Sequence, residues 1–271
     1  MPLLGMFSND IAIDLGTANT LIYMKGKGIV LNEPSIVTYD VASRKIIAIG
    51  EESKKMMGRV HKELATIRPM KDGVIADFEI AEGMIKEFIK KISSSWMPSR
   101  RIVICVPSGI TEVEKRAVFD SADHVDSKET YLIHEPMAAA LGIGLDVEEP
   151  IGNMVIDIGG GTTEIAVIAL SGIVTDQSIR IAGDEFTNDI IDYMKRKHNI
   201  LIGERTAEQI KINVGAAIAD LTEPPPKYAV NGRDMLTGIP KQVFTTHVEV
   251  AEALDKSIAK IEEAVLKALE D

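Results

Sequence analysis

A short turn motif led by aspartate occurs twice in this chain, once in each half, and constrains the fold more than any other feature. The first copy reads Ile13-Asp14-Leu15-Gly16-Thr17-Ala18-Asn19-Thr20, and the second reads Ile156-Asp157-Ile158-Gly159-Gly160-Gly161-Thr162-Thr163. Each lies between apolar, β-prone residues, with Ile11 and Ala12 before the first copy and Leu21 to Tyr23 after it, and Met154 and Val155 before the second and Ile165 to Val167 after it. That pattern predicts a strand, a tight turn of small residues and a returning strand. A turn with few or no Cβ atoms can present successive backbone N–H groups to an anion. An aspartate at its head would repel a phosphate unless a hydrated divalent cation lay between them, and Mg²⁺ is usually held partly through water. Two facing copies would therefore clamp one phosphorylated ligand from opposite sides.

The rest of the sequence is consistent with two α/β halves. In the first, Ile80, Met84, Phe88 and Ile92 recur at helical spacing. The run Ile102 to Val106 is apolar throughout, as in a strand covered on both faces. Thr111-Glu112-Val113-Glu114 is a capping box. A strand near Tyr131 to His134 leads through Glu135-Pro136 into the small-residue helix from Met137 to Gly142. The second half restarts with the hairpin at 154–168. Helices are expected at 185–198 and from Thr206, the latter with Ile210, Val214 and Ile218 on one face. Asn231-Gly232 predicts a primed hairpin turn. A closing amphipathic helix carries Val250, Leu254, Ile258, Ile261, Val265 and Leu269. Two halves headed by the same hairpin imply a duplicated fold with a cleft between them.

Composition excludes several classes. The 271 residues can bury a large core. A formal net charge of −11 argues against nucleic-acid binding, and any contact with an anionic membrane would have to come from apolar insertion. The single cysteine, Cys105, rules out an intrachain disulfide and is expected to be a buried core thiol. The five histidines lack ligand-like spacing, so no transition-metal site is assigned. No apolar run approaches the ~20 residues of a membrane-spanning helix. The apolar N-terminus lacks a basic segment and a cleavage site, so it is not a signal peptide. Neither turn fits the P-loop or the Gly-x-Gly-x-x-Gly dinucleotide turn.

With these motifs in place, the chain resembles the actin, sugar kinase and heat-shock ATPase superfamily, and within it the MreB/Mbl family of bacterial actin homologues. Asp14 to Thr20 is similar to the family's first phosphate motif and Asp157 to Glu164 to its second. His134-Glu135-Pro136-Met137-Ala138-Ala139-Ala140 resembles the connecting segment, and Gly203 to Lys211 the first adenosine motif. The similarity runs from residue 8 to the C-terminus. It implies an α/β, duplicated actin-like (ribonuclease H-like) fold, two lobes around a nucleotide cleft. The lobes would be 8–149, with a small subdomain at 33–77, and 150–271, with one at 184–247.

The resemblance also assigns roles. Thr17, Ala18 and Asn19 would contact the terminal phosphates of ATP or ADP, as would Gly159, Gly160, Gly161 and Thr162 from the facing lobe. Asp14 and Asp157 would hold hydrated Mg²⁺, and Glu135 would position and polarise the attacking water. Glu208, Gln209, Ile210 and Lys211 would flank the nucleoside, with Glu208 accepting ribose hydroxyls and Lys211 over the adenine. Read without the resemblance, Glu135 is a helix N-terminal carboxylate and Glu208–Lys211 a solvated helix pair. Trp96 and Met97 resemble a membrane-inserting loop, with Leu3, Leu4, Met6 and Phe7 as a second contact.

The implied function is that of an ATP-binding, filament-forming cytoskeletal protein that lies in the cytoplasm, peripheral on the inner face of the cell membrane. It would organise cell-wall synthesis and maintain rod shape. Its partners would be further copies of itself in protofilaments, the membrane, and membrane-anchored cell-elongation and cell-wall synthesis proteins, with no nucleic acid. ATPase activity would be coupled to polymerisation. The family continues past the last helix with a second adenosine motif, so the fold is expected to be C-terminally truncated, which bears on adenine binding, turnover and polymerisation. The alternatives are a heat-shock-type chaperone ATPase, which needs a substrate domain, a small-molecule kinase, which needs an acceptor pocket, and a plasmid-segregating actin, which would lack the Trp96 loop.

Overall fold

The computed structural model describes residues 10–92, 100–123 and 127–270. Its contacts divide the chain into two compact units, Met1–Arg180 and Ile181–Asp271.

The first unit opens with β1 (Ile11–Leu15), β2 (Asn19–Met24) and β3 (Gly28–Pro34), followed by β4 (Val37–Asp40), β5 (Ile46–Ile49), α1 (Gly50–Met56) and β6 (Leu64–Ile67). A small hairpin, β7 (Met70–Lys71) and β8 (Val74–Ile75), precedes α2 (Phe78–Ile92) and β9 (Arg100–Val106). Then come α3 (Glu112–Asp123), β10 (Ser127–His134), α4 (Glu135–Gly142), β11 (Asn153–Ile158), β12 (Thr163–Ala169) and β13 (Gly172–Ile179).

The main sheet has the order β10-β9-β1-β2-β3, with β10, β9 and β1 parallel and β2 and β3 antiparallel to their neighbours. Alternation decides its faces. Ile11, Ile13, Ile22, Ile102 and Ile104 turn to one side and are at most 2% exposed. They form one core with Ile80, Met84 and Phe88 of α2, so the helical stripe read from the sequence is the face that packs. Burying each such side chain contributes about 1.5–3 kcal/mol. The capping box forms as expected: the Thr111 N–H donates to Glu114 Oε2 at 2.9 Å, and the Glu114 N–H donates to Thr111 Oγ1 at 3.3 Å.

A second sheet, β11-β12-β13, is a meander whose Val155, Ala166 and Ile168 pack against Ala140 of α4. This packing joins residues 150–180 to the unit that precedes them in sequence. Strands β5, β4 and β6 form a third, smaller sheet.

The second unit contains α5 (Gly183–His198), β14 (Ile200–Leu201), α6 (Glu204–Val214), β15 (Tyr228–Asp234), β16 (Pro240–Thr245) and α7 (His247–Glu270). Its core gathers Ile190, Met194, Ile200, Ile210, Val214, Val230, Val250 and Leu254.

Four expectations need correction. Helix α6 ends at Val214 because Gly215 takes an extended conformation, and Ile218 lies beyond it, exposed. Asn231-Gly232 is not a turn: β15 runs straight through it, with Asn231 opposite Gln242 and Gly232 opposite Lys241. The glycine is needed for another reason, since a Cβ there would lie 2.7 Å from the Leu201 carbonyl oxygen of the neighbouring strand. The reversal falls at 235–239 instead, where the Asp234 carboxylate accepts the N–H groups of Leu236 and Thr237. The stripe of α7 packs through Val250, Leu254 and Ile258, but Leu269 is exposed while Ala264 and Ala268 are buried. At ~1.5 Å per residue the helix is about 36 Å long, and toward its C-terminal end the buried face is made by the small side chains of Ala264 and Ala268. Strand β9 is interior to its sheet, yet only alternate residues are fully buried; Val103 and Cys105 are half-buried.

Candidate functional site

The parallel strands β1, β9 and β10 end side by side. Their register sets Asp14 opposite Cys105, and Cys105 opposite Ile133, so Glu135 follows at the next step, at the start of α4. In open α/β sheets the carboxyl ends of parallel strands are where ligands bind. Because Ile13 and Leu15 face the core, Asp14 between them is turned to the opposite face, as Cys105 is between Ile104 and Val106.

The first turn is braced from behind. Ser35, fully buried, donates its hydroxyl to the Gly16 carbonyl at 2.6 Å and its N–H to the Ala18 carbonyl at 3.0 Å. Thr20 shares a 2.9 Å hydrogen bond with the same hydroxyl. The second turn is closed by the Gly159 N–H donating to the Thr162 carbonyl at 2.9 Å.

The two turns meet. A Cβ on Gly160 would lie 2.7 Å from the Ala18 Cβ, and one on Gly161 would lie 2.8 Å from Thr17 Oγ1. These glycines are therefore required by close approach, since a methyl group at either place would push the turns apart. A third turn joins them. Asp72 and Gly73, both at positive φ, connect β7 to β8, and the Gly73 N–H donates to Thr17 Oγ1 at 3.1 Å.

Four carboxylates crowd this place. Burial, and then the Asp157 charge, raise Asp14; burial raises Asp157. Glu135 is pushed up to about 8 by burial first, then by Asp14, Glu164 and Asp157. Glu164, 1% exposed, is also raised by burial, against the lowering effect of its hydrogen bond from Ser178. Such a cluster favours protons or a cation. Among the described residues no group of three or more His, Cys, Asp or Glu is arranged to hold a metal. The donor set nevertheless fits Mg²⁺, because two hard carboxylates completed by water and phosphate oxygens suffice for it. The expectation for Cys105 is corrected in part. Its thiol is half-buried beside these acids rather than in the apolar core, and burial followed by Asp14, Glu135 and Asp157 pushes it up to about 12. A thiol so hard to ionise is unreactive.

The structure thus brings together Asp14, Thr17, Ala18, Glu135, Asp157, Gly160, Gly161 and Thr162, with Asn19 and Gly159 at the exposed ends of the turns. Ser35, the Asp72-Gly73 turn and Glu164 were not singled out from the sequence. Asp-Gly between Met70-Lys71 and Val74-Ile75 carried the signal of a two-residue hairpin. A glutamate heading the apolar run Ile165-Ala166-Val167 also invited a question. Nothing in the sequence marked Ser35. Beside Glu135, a cavity of about 390 Å³ is lined by residues that include Ser108, Leu132, His134, Met137, Ile173 and Asp176.

In the second unit, Lys211 Nζ pairs with Glu208 at 2.7 Å and donates to the Gly183 carbonyl at 2.7 Å and to Thr187 Oγ1 at 3.0 Å. The Thr187 hydroxyl donates to Glu208 Oε2 at 3.0 Å. Gln209 is exposed, whereas Ile210 is fully buried in that unit's core and does not share the Glu208–Lys211 face. Trp96 and Met97 lie outside the described residues, as do Leu3, Leu4, Met6 and Phe7.

The class that these sheets and paired turns define is the actin-like α/β fold. The structure superposes on that of MreB5 of Spiroplasma citri bound to ADP with a TM-score of 0.89 and 36% sequence identity, over 96% of this chain and 78% of that one. A family model described as MreB/Mbl protein matches residues 8–271. The cell shape-determining protein Mbl of Bacillus subtilis is 50% identical over 266 residues, covering 98% of this chain and 79% of that protein. The cell shape-determining protein MreB of Escherichia coli K12 is 51% identical over 272 residues, covering 98% and 78%. The chain belongs to the MreB/Mbl family.

Proposed function

We propose that this chain is an ATP-binding, filament-forming bacterial actin that acts in determining cell shape. The observation that carries the reading is the direct apposition of the two aspartate-led turns, Gly160 against Ala18 and Gly161 against Thr17, at the ends of three parallel strands. Relatives that are half identical to it carry cell-shape names, and MreB5 of Spiroplasma citri binds both ADP and AMPPNP.

In this reading the N–H groups of Thr17, Ala18, Gly160, Gly161 and Thr162 take the terminal phosphates, with Asn19 and Gly159 at the rim. Asp14 and Asp157 hold hydrated Mg²⁺, which when bound neutralises phosphate charge and relieves the crowded carboxylates. Glu135 orients the water for in-line attack, which needs placement more than basicity. Glu208 and Lys211 turn to the nucleoside by exchanging their mutual ion pair for ribose and adenine contacts, with Gln209 beside them. The two lobes at 8–149 and 150–271, and the nucleotide cleft they would form, belong to the same proposal.

Association with the inner face of the membrane through Trp96 and Met97, and with cell-wall synthesis proteins, extends it. None of the described helices is long and apolar enough to cross a membrane. Calorimetry with ATP and Mg²⁺, followed by light scattering, tests the core of the reading. Saturable uptake followed by nucleotide-dependent scattering is expected, and no uptake would refute it. Equal pelleting of the wild type and Trp96→Ser with liposomes would remove the loop from the account.

A further inference from the structure

Arg44 stands in a backbone conformation that suits glycine. It lies in the turn between β4 and β5 at φ 60°, a region that a side chain of its size seldom enters. Strain of this kind persists only where surrounding contacts hold it, and here the side chain has three partners. Nη2 donates to both Asp77 carboxylate oxygens, at 2.6 and 2.8 Å, and Nε donates to Glu79 Oε2 at 3.0 Å. The guanidinium also lies over the Tyr39 ring of β4, 4.9 Å from its centre. Asp77 and Glu79 belong not to the small sheet but to the junction where the β7–β8 hairpin ends and α2 begins. The N–H groups of Ala76 and Asp77 donate to the Pro69 carbonyl at 2.8 and 3.4 Å, closing the base of the hairpin. The Asp77 carboxylate accepts the Ile80 N–H at 3.2 Å, fixing the first turn of α2 to the same place.

The other end of the hairpin is its Asp72-Gly73 turn, which rests on both aspartate-led turns. Besides the bond from the Gly73 N–H to Thr17, a Cβ on Gly73 would lie 2.7 Å from Thr162 Cγ2, and one on Gly161 would lie 3.0 Å from the Asp72 nitrogen. With two paired residues in each strand, the hairpin cannot hold a shape of its own. Arg44 sets its place at the base, and the aspartate-led turns set it at the tip. Close packing transmits a shift at either end rather than absorbing it. We propose that Arg44 is a positioning residue that fastens the small β5-β4-β6 sheet to the aspartate-led turns through this hairpin, so that nucleotide occupancy and the order of the small sheet are coupled; this rests on the nucleotide-binding reading above. The two states are the latched one, with Arg44 on Asp77, and a released one, in which that contact is open and the small sheet is looser. Nucleotide favours the latched state because it holds Thr17 and Gly161 against the hairpin tip. By linkage, whatever the latch adds to nucleotide affinity, nucleotide adds to the latch.

The test is amide hydrogen exchange of the full chain with and without ADP and Mg²⁺, at a concentration where light scattering detects no assembly. Arg44→Gln removes the charge. Arg44→Gly removes the side chain and relieves the backbone, so this variant is expected to keep its fold. In the wild type, nucleotide is expected to slow exchange about five-fold at β4 and β5, strands that carry no residue assigned to the nucleotide, as well as at Gly73. In both variants the slowing at Gly73 remains and that at β4 and β5 falls below about two-fold, while ADP affinity drops by a factor matching the protection lost. A residue that only supports the fold would change the unfolding midpoint and leave the nucleotide-induced slowing at β4 and β5 intact, and that result overturns the proposal. So does a wild-type chain that binds ADP with no slowing there. A wild-type chain that takes up no nucleotide defeats the functional reading and the proposal together, a failure recognised before either variant is made.

Discussion

Gly160→Ala tests whether the two turns are packed as tightly as the structure places them. The new methyl carbon would lie 2.7 Å from the Ala18 Cβ, 3.2 Å from its nitrogen and 3.4 Å from its Cα. Carbon atoms are at their optimum about 3.5–4.0 Å apart, so one turn must retreat by about 1 Å. Each turn is held from behind, the first by Ser35 and the second by its Gly159–Thr162 bond, so the retreat is resisted on both sides. Overpacking of this kind costs about 1–3 kcal/mol. At about 2 kcal/mol the unfolding midpoint should drop by roughly 4–8 °C. Nucleotide affinity should fall about ten-fold or more, since 1.4 kcal/mol is one decade and the displaced N–H groups are those proposed to hold the phosphates.

The decisive measurement is a double-mutant cycle with Ala18→Gly, followed by thermal unfolding and nucleotide titration. Removing the Ala18 methyl eliminates the 2.7 Å clash but leaves the contacts to backbone. The double variant should therefore regain most, though not all, of the loss, with a coupling of about 1 kcal/mol or more. A Gly160→Ala chain with wild-type midpoint and affinity, or a cycle with no coupling, would show that the turns do not touch.

Two further outcomes follow from the same structure. Glu135, raised from an ordinary 4.5 to about 8, binds a proton in the folded chain that the unfolded chain has already released, so its contribution makes stability fall as pH rises through that window. Urea midpoints from about pH 5 to pH 8 without nucleotide or divalent cation should decline less steeply in Glu135→Gln than in wild type, and an unchanged slope would contradict the crowding of the carboxylates. Asn231→Thr should change stability by no more than about 0.5 kcal/mol, because position 231 is an exposed strand position that loses only a 3.1 Å hydrogen bond from Gln242. A large loss in urea unfolding would restore the primed turn that the sequence predicts there.

The sequence alone determined the elements whose pattern is local. The two hairpins, helix α2, the capping box at Thr111 and the aspartates heading both turns follow from strand alternation, helical spacing and turn chemistry, each written within a few residues. Only the tertiary structure decided what depends on a distant neighbour. Asn231-Gly232 carries the local signature of a turn, yet it is strand because β16 pairs with it residue by residue, and its glycine serves the close approach of the Leu201 carbonyl from β14. Cys105 reads as core, yet strand register sets it beside Asp14. Ser35, the Asp72-Gly73 turn and Glu164 gain their places from strands and loops far away in the chain. The physical reason is that side-chain periodicity fixes which way a residue faces, whereas what it then meets is set by strand order and packing, and no short stretch of sequence contains either.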